Sequence, residues 1–199
     1  MPRRPLDHYE TPPHYVEPLL ALIGPLHGLT VYEPCVGRGH IARYLTDAAT
    51  LTTNDINQDL PATMHQDARL EAAWPDVLTG EDLLDWTITN PPFSDELVIL
   101  QHALRCSRNV AFLARLSFLE PTIERGAFWL TAPPTDTIVL PRYSFRLNDL
   151  GKRQTDNVTC CWLVFREEHV GTVHFSVRPS KHLPPPPLDD CDNPIVRAP

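Results

Sequence analysis

Two short segments of this chain carry residue types that do chemistry. The first is Gly37-Arg38-Gly39-His40-Ile41-Ala42, a G-x-G-x-x-A pattern between an apolar stretch at 29–32 and the helically spaced Ile41, Tyr44 and Leu45. Glycines at such a turn adopt backbone conformations closed to other residues and let a ligand approach the main chain. A following helix start would offer unpaired N–H groups to a negative group. Asp55 ends the next apolar stretch, 51–53, where a carboxylate can accept hydrogen bonds from ribose hydroxyls. The pair predicts a nucleoside-bearing cofactor, and nicotinamide and S-adenosylmethionine cofactors both suit it.

The second segment is Asn90-Pro91-Pro92-Phe93, directly after Asp85-Trp86-Thr87-Ile88-Thr89. The two prolines end that strand pattern, because proline cannot donate to a central ladder. A nicotinamide-dependent oxidoreductase would explain the glycines and Asp55 but gives no reason for this tetrapeptide.

The elements that must position these segments read as alternating strands and helices, the pattern of βαβ units and a parallel sheet. Val16, Leu19, Leu20 and Ile23 recur at helical spacing before Gly24-Pro25. Strands are predicted at 29–32, 51–53, 86–89, 110–113 and 137–140, with helices after the glycine motif, over 94–105 and over 120–130. Two β-rich runs, 158–165 and 172–177, are joined by Glu167-Glu168-His169-Val170-Gly171 and predict an antiparallel hairpin.

Composition bounds the class. At 199 residues, 42% of them hydrophobic and 21% charged, the chain can bury one core. No apolar run reaches the ~18 residues of a membrane span. The start, Met1-Pro2-Arg3-Arg4-Pro5 followed by Asp7, His8 and Glu10, lacks the apolar stretch of a signal peptide, so a cytoplasmic protein with no membrane partner is expected. The five cysteines form no C-x-x-C pair, and the adjacent Cys160 and Cys161 would face opposite sides of a strand. None of the nine histidines falls at H-x-x-x-H or H-E-x-x-H spacing, so no metal site is expected. Cys35, inside the glycine motif, reads as a packing residue and not as a nucleophile. Of the 22 prolines, four stand together at 184–187 in a segment with little apolar content, which divides the chain into a folded body over 1–178 and a proline-rich, flexible tail over 179–199.

The net charge of −8 is unevenly spread. Residues 1–104 hold 5 basic against 15 acidic residues, whereas 105–153 hold 8 basic against 4 acidic. An anionic partner belongs at the middle of the chain. Arg142, Tyr143, Arg146, Lys152 and Arg153, with Phe145, combine cations and aromatic faces in one predicted loop, as a surface contacting a nucleic-acid strand would. Packing accounts for the aromatic residues equally well.

The tetrapeptide and the glycine motif together resemble the class I S-adenosylmethionine-dependent methyltransferases that modify exocyclic amino groups, particularly the adenine-specific DNA enzymes. Asn90 to Phe93 matches their D/N/S-P-P-Y/F/W motif. Glu33-Pro34 looks like the acid–proline opening of their cofactor motif, and Tyr9-Glu10-Thr11-Pro12-Pro13 like their additional cofactor motif, placed first as in the gamma arrangement. The resemblance covers about residues 8–178 and is greatest to small phage and bacterial enzymes. It implies a Rossmann-like fold with a mostly parallel seven-stranded sheet and the C-terminal antiparallel hairpin.

By the same resemblance, Tyr9, Thr11, Pro12, Glu33, Pro34, Gly37, Gly39, Asp55, Ile56, Asp67 and Asn90 hold S-adenosylmethionine. The Asn90 side-chain oxygen and the Pro91 carbonyl accept hydrogen bonds from the adenine N6 amino group, Pro92 fixes the loop, and Phe93 stacks on a base that has left the duplex. Gamma-type enzymes usually carry a large target-recognition domain after the catalytic one, and only a hairpin and a proline-rich tail follow here. A short recognition loop, a partner protein that supplies specificity, and a single-stranded or RNA substrate are the expectations this leaves. The same motif serves RNA amino groups and protein glutamine amides, and a silent nucleic-acid-binding module would keep the fold without the chemistry.

Overall fold

The computed structural model describes residues 10–75, 83–120, 122–143, 158–167 and 172–175. Helix α1, Pro13–Ile23, opens on a proline, whose fixed φ suits the first helical position, and buries Tyr15, Val16 and Leu19. Gly24, at φ 79°, ends it and donates its N–H to the Leu20 carbonyl at 3.0 Å. Strand β1 covers Thr30–Glu33, β2 Thr50–Thr53 and β3 Leu84–Thr89. Helix α2, Glu96–Cys106, leads into β4, Ser107–Arg115. Helix α3, Ile123–Thr131, begins at Thr122, whose hydroxyl accepts from the Arg125 N–H. Strands β5, Asp136–Val139, β6, Cys160–Arg166, and β7, Thr172–Phe175, follow.

The strands lie in the order β2-β1-β3-β4-β6-β5-β7. Neighbours from β2 to β4 are parallel, β6 is antiparallel to both β4 and β5, and β7 is parallel to β5. The expected pairing of 158–165 with 172–177 is therefore replaced. Residues 160–165 are buried on both faces, a continuous apolar run that belongs inside a sheet, and β6 inserts between β4 and β5. Thr172–Phe175 aligns with β5 instead, Asp136 opposite Thr172.

Side chains alternate between two cores. Val110, Phe112 and Ala114 of β4 join Cys161, Leu163 and Phe165 of β6 against α2, while Ala111, Leu113, Cys160, Trp162 and Val164 face α1. Cys160 and Cys161 thus point to opposite sides, and Cys35, Cys106 and Cys161 are free thiols. Trp162 donates its indole N–H to the Tyr15 carbonyl at 2.6 Å, and the Tyr15 hydroxyl donates to the Pro141 carbonyl at 2.7 Å, tying α1 to the sheet.

The helix expected after the glycine motif is a single 3-10 turn, Ala42–Tyr44. Ile41 and Leu45 do bury on the α1 side, but the chain turns back at Asp47, whose carboxylate accepts from the Leu26 N–H at 3.3 Å. The helix N-terminus proposed as an anion cradle is consequently not built. Among the described residues, no helix is long and apolar enough to cross a membrane. The tail over 179–199 and Cys191 lie outside the described residues.

Candidate functional site

The chain leaves β1 for β2 on one side and returns to β3 on the other. This reversal opens a crevice at the C-terminal ends of the strands, where open α/β sheets place ligands. A cavity of about 410 Å³ fills it. Thr11, Glu33, Pro34, Gly37, Asp55, Ile56 and Asp67 line it together with Asn90, Pro91, Pro92 and Phe93. Thr11 and Phe93, 82 positions apart in sequence, thus share one wall system. Pro12 is buried behind Thr11, and Gly39 shapes the loop without lining the cavity. Tyr9 lies outside the described residues.

The floor is a network between β1 and β2. Gly37 and Gly39 take φ values of 55° and 74°, the left-handed region that glycine enters without strain. The Gly37 N–H donates to Asp55 Oδ2 at 2.8 Å and the Asn57 N–H to Oδ1 at 2.9 Å, so Asp55 shapes the loop while lining the cavity. Its neighbour Asn54 is fully buried. Its Nδ2 donates to the Pro34 and Gln66 carbonyls and its Oδ1 accepts from the Gln66 N–H at 2.8 Å. Asn54 therefore locks the glycine loop to the segment bearing Asp67. Sequence reading passed over it, although its place beside Asp55 at a strand end was the available signal.

Charge is distributed unevenly around the walls. Glu33 is 1% exposed, burial pushes its carboxyl well above the ordinary range, and the Ala42 N–H opposes that rise. Its Oε2 is buried with no hydrogen-bond partner among the described residues. Asp67 is held below its usual value by Arg69, whose Nη2 approaches Oδ2 at 2.6 Å. Burial pushes the Cys35 thiol up, which disfavours the thiolate a nucleophile needs and agrees with a packing role.

Two contacts of the Asn90-Pro91-Pro92-Phe93 segment were not legible in residue order. Asn90 donates from Nδ2 to Thr11 Oγ1 at 3.0 Å, joining residues 79 positions apart. Arg115, at the end of β4, places its guanidinium carbon 4.5 Å from the centre of the Phe93 ring and lines the same cavity. Arg38, Arg69 and Arg115 are cavity cations absent from the expected site residues; Arg115 stands out in the sequence only as part of the basic middle stretch. Glu96 supports the Arg115 main chain, accepting its N–H at 3.4 Å, and burial pushes the Glu96 carboxyl up to about 7.

Of the residues expected to contact nucleic acid, the described ones, Arg142 and Tyr143, do not line this cavity. Arg142 is exposed, and Tyr143 packs its ring edgewise on His14 and at a tilt to Tyr15, with centroids 5.1 and 5.7 Å apart. Packing thus accounts for Tyr143. Phe145, Arg146, Lys152 and Arg153 lie outside the described residues.

No protein-family model matches the chain, and no curated protein matches it. Solved structures do. A chain assigned as a modification subunit of a type I restriction enzyme from Vibrio vulnificus has a TM-score of 0.64 at 14% identity, over 88% of this chain and 48% of that one. The type I restriction-modification methyltransferase subunit from Streptococcus thermophilus has a TM-score of 0.60 at 16% identity, over 84% and 47%. The 23S rRNA methyltransferase ErmE has a TM-score of 0.56 at 12% identity, over 82% and 71%. The chain spans about half the length of the two restriction-modification subunits. At such identities the likeness is one of architecture, and by it this chain has the fold of the class I S-adenosylmethionine-dependent methyltransferases.

Proposed function

We propose that the protein transfers a methyl group from S-adenosylmethionine to the N6 amino group of adenine in DNA. One observation carries the reading: the Asn90-Pro91-Pro92-Phe93 loop lines the same cavity as Glu33, Gly37 and Asp55. A volume of about 410 Å³ lies in the range of small-molecule sites.

The residues present fit the cofactor. Glu33 offers a buried carboxyl oxygen without a partner among the described residues, suited to an ammonium group, and Asp55 lies where ribose hydroxyls would be accepted. Ile56, half exposed at the cavity, offers an apolar face to a ring. Gly37, Gly39 and Pro34 shape the loop around it. When bound, the cofactor supplies a methyl group already activated by the positive sulfur, so no metal is required.

The chain's own task is positioning. Asn90 Oδ1 and the Pro91 carbonyl accept hydrogen bonds from the two amino N–H groups, drawing the nitrogen lone pair out of conjugation with the ring. Phe93 stacks on the base, which must leave a duplex or arrive single-stranded to reach the cavity. Arg115 brings a cation to the same face. The restriction-modification neighbours favour DNA as acceptor. RNA is the second reading, favoured by the match to ErmE over 71% of that enzyme.

The test is incubation with methyl-labelled S-adenosylmethionine and, separately, duplex DNA, single-stranded DNA, RNA and protein, followed by mass spectrometry of the methylated product. N6-methyladenine from DNA, absent with Asn90→Ala although that variant still binds cofactor, is the expected result. Label in RNA or protein replaces the acceptor, and normal turnover by Asn90→Ala overturns the mechanism.

A further inference from the structure

We infer that Thr11 is a positioning residue for the Asn90 carboxamide, acting on the acceptor arm that the proposed transfer requires. The inference rests on the methyltransferase reading but departs from the cofactor contact that the resemblance gives Thr11.

A carboxamide has two arms of nearly equal size and opposite hydrogen-bonding character. With Oδ1 toward the substrate amine it accepts a proton; turned by half a rotation, it presents Nδ2 and opposes the amine with another donor. Something outside the catalytic loop must choose between these states. Pro91 and Pro92 have no N–H, so the residues directly following Asn90 offer no main-chain donor to hold Oδ1.

Thr11 holds one of them. Its Oγ1 accepts from Asn90 Nδ2 at 3.0 Å, which engages the donor arm and leaves Oδ1 as the opposite one. Thr11 is 3% exposed, so bulk water competes poorly for this contact. Its place is set remotely. Pro12 follows it, the Pro12 carbonyl accepts the Tyr15 N–H at 2.9 Å, and α1 is tied to β6 by the Trp162 indole. The hydroxyl is therefore referenced to the centre of the sheet, independently of the loop it orients.

The variants are Thr11→Val, which keeps the shape and removes the acceptor, Thr11→Ala, which removes both, and Thr11→Ser, which keeps the acceptor. Turnover is read with unmethylated genomic DNA and labelled S-adenosylmethionine, cofactor affinity by calorimetry. Protection of the Asn90 side-chain amide protons from water exchange is read by NMR on nitrogen-labelled protein, with the signal assigned by its disappearance in Asn90→Asp.

Valine and alanine should each lower kcat by about tenfold, the scale of one hydrogen bond, and lose the amide protection, with cofactor Kd unchanged within about twofold. Serine should stay within about threefold of wild type. Wild-type kcat or retained protection in the valine variant overturns the inference. Weakened cofactor binding with kcat intact at saturation also overturns it, returning Thr11 to the cofactor. If the wild-type protein labels no DNA, the methyltransferase reading fails for that acceptor, and the protection measurement alone decides whether Thr11 orients Asn90.

Discussion

The guanidinium of Arg115 lies against the ring of Phe93, 4.5 Å from its centre, in the cavity lining beyond the last paired residues of β3 and β4. The aromatic face to which the proposed function gives a base is thus already in contact with a planar cation. A base reaching that face must share it with Arg115 or displace the guanidinium, which stays close enough to meet a flanking phosphate.

Arg115→Ala should raise KM for nucleic acid several-fold with a smaller change in kcat. The slope of log affinity against log salt should fall by about 0.9, the loss of one phosphate contact on duplex DNA. Arg115→Lys should restore the slope but not all of the affinity, since it returns charge without a stacking plane. Binding titrations at several salt concentrations check both.

Asp55 joins loop geometry to ligand binding, because both its oxygens accept main-chain N–H groups while the side chain lines the cavity. Asp55→Ala should weaken S-adenosylmethionine binding by at least about tenfold and cost about 1–3 kcal/mol of stability through the two donors left behind. Calorimetric titration and urea unfolding measure the two effects separately.

Asn54→Ala should be costlier still for stability. It removes a fully buried amide whose three hydrogen bonds reach the glycine loop and Gln66. A loss of roughly 3 kcal/mol or more is expected, at about 1 kcal/mol per bond plus the unsatisfied partners. The urea midpoint reports it, and a shift below about 1 kcal/mol would mean that the clamp is dispensable.

The carboxyl of Glu96 titrates near 4.5 when unfolded and is pushed up to about 7 by burial in the fold, against the pull of the Arg115 N–H and charge. Folding therefore favours its protonated form. The resulting stability is fully present below about 4.5 and is lost as the pH rises through about 7. Glu96→Gln keeps an acceptor for the Arg115 N–H and never ionises, so it should be the more stable protein at about pH 8 by up to about 3 kcal/mol. The advantage should shrink toward about pH 5 in paired urea titrations.

Much of this organisation is local and was legible in residue order. Periodicity located the strands and α1 to α3 within a few residues, because a strand or helix buries a face that its own sequence must supply. Glycine at 37 and 39 and the double proline at 91–92 mark turns through their own backbone chemistry. Asp55 and Asn90 were legible for the same reason, each standing where a strand must stop.

Pairing and contact were decided elsewhere. The 172–175 segment can complete a hairpin with β6 as far as its own pattern goes; burial of β6 on both faces places that strand between β4 and β5 and sends β7 to the edge. The apolar spacing of Ile41, Tyr44 and Leu45 fits a helix, yet one turn buries Ile41 and Leu45, and the Asp47 contact with Leu26 draws the chain back. Thr11 against Asn90 and Arg115 against Phe93 join residues 79 and 22 positions apart. The sequence alone determined which side-chain types and turns are available for the proposed chemistry, since these reside in residue identity and in short backbone motifs. Only the tertiary structure decided which of them touch, because contact between distant segments follows from how the whole sheet buries its two faces.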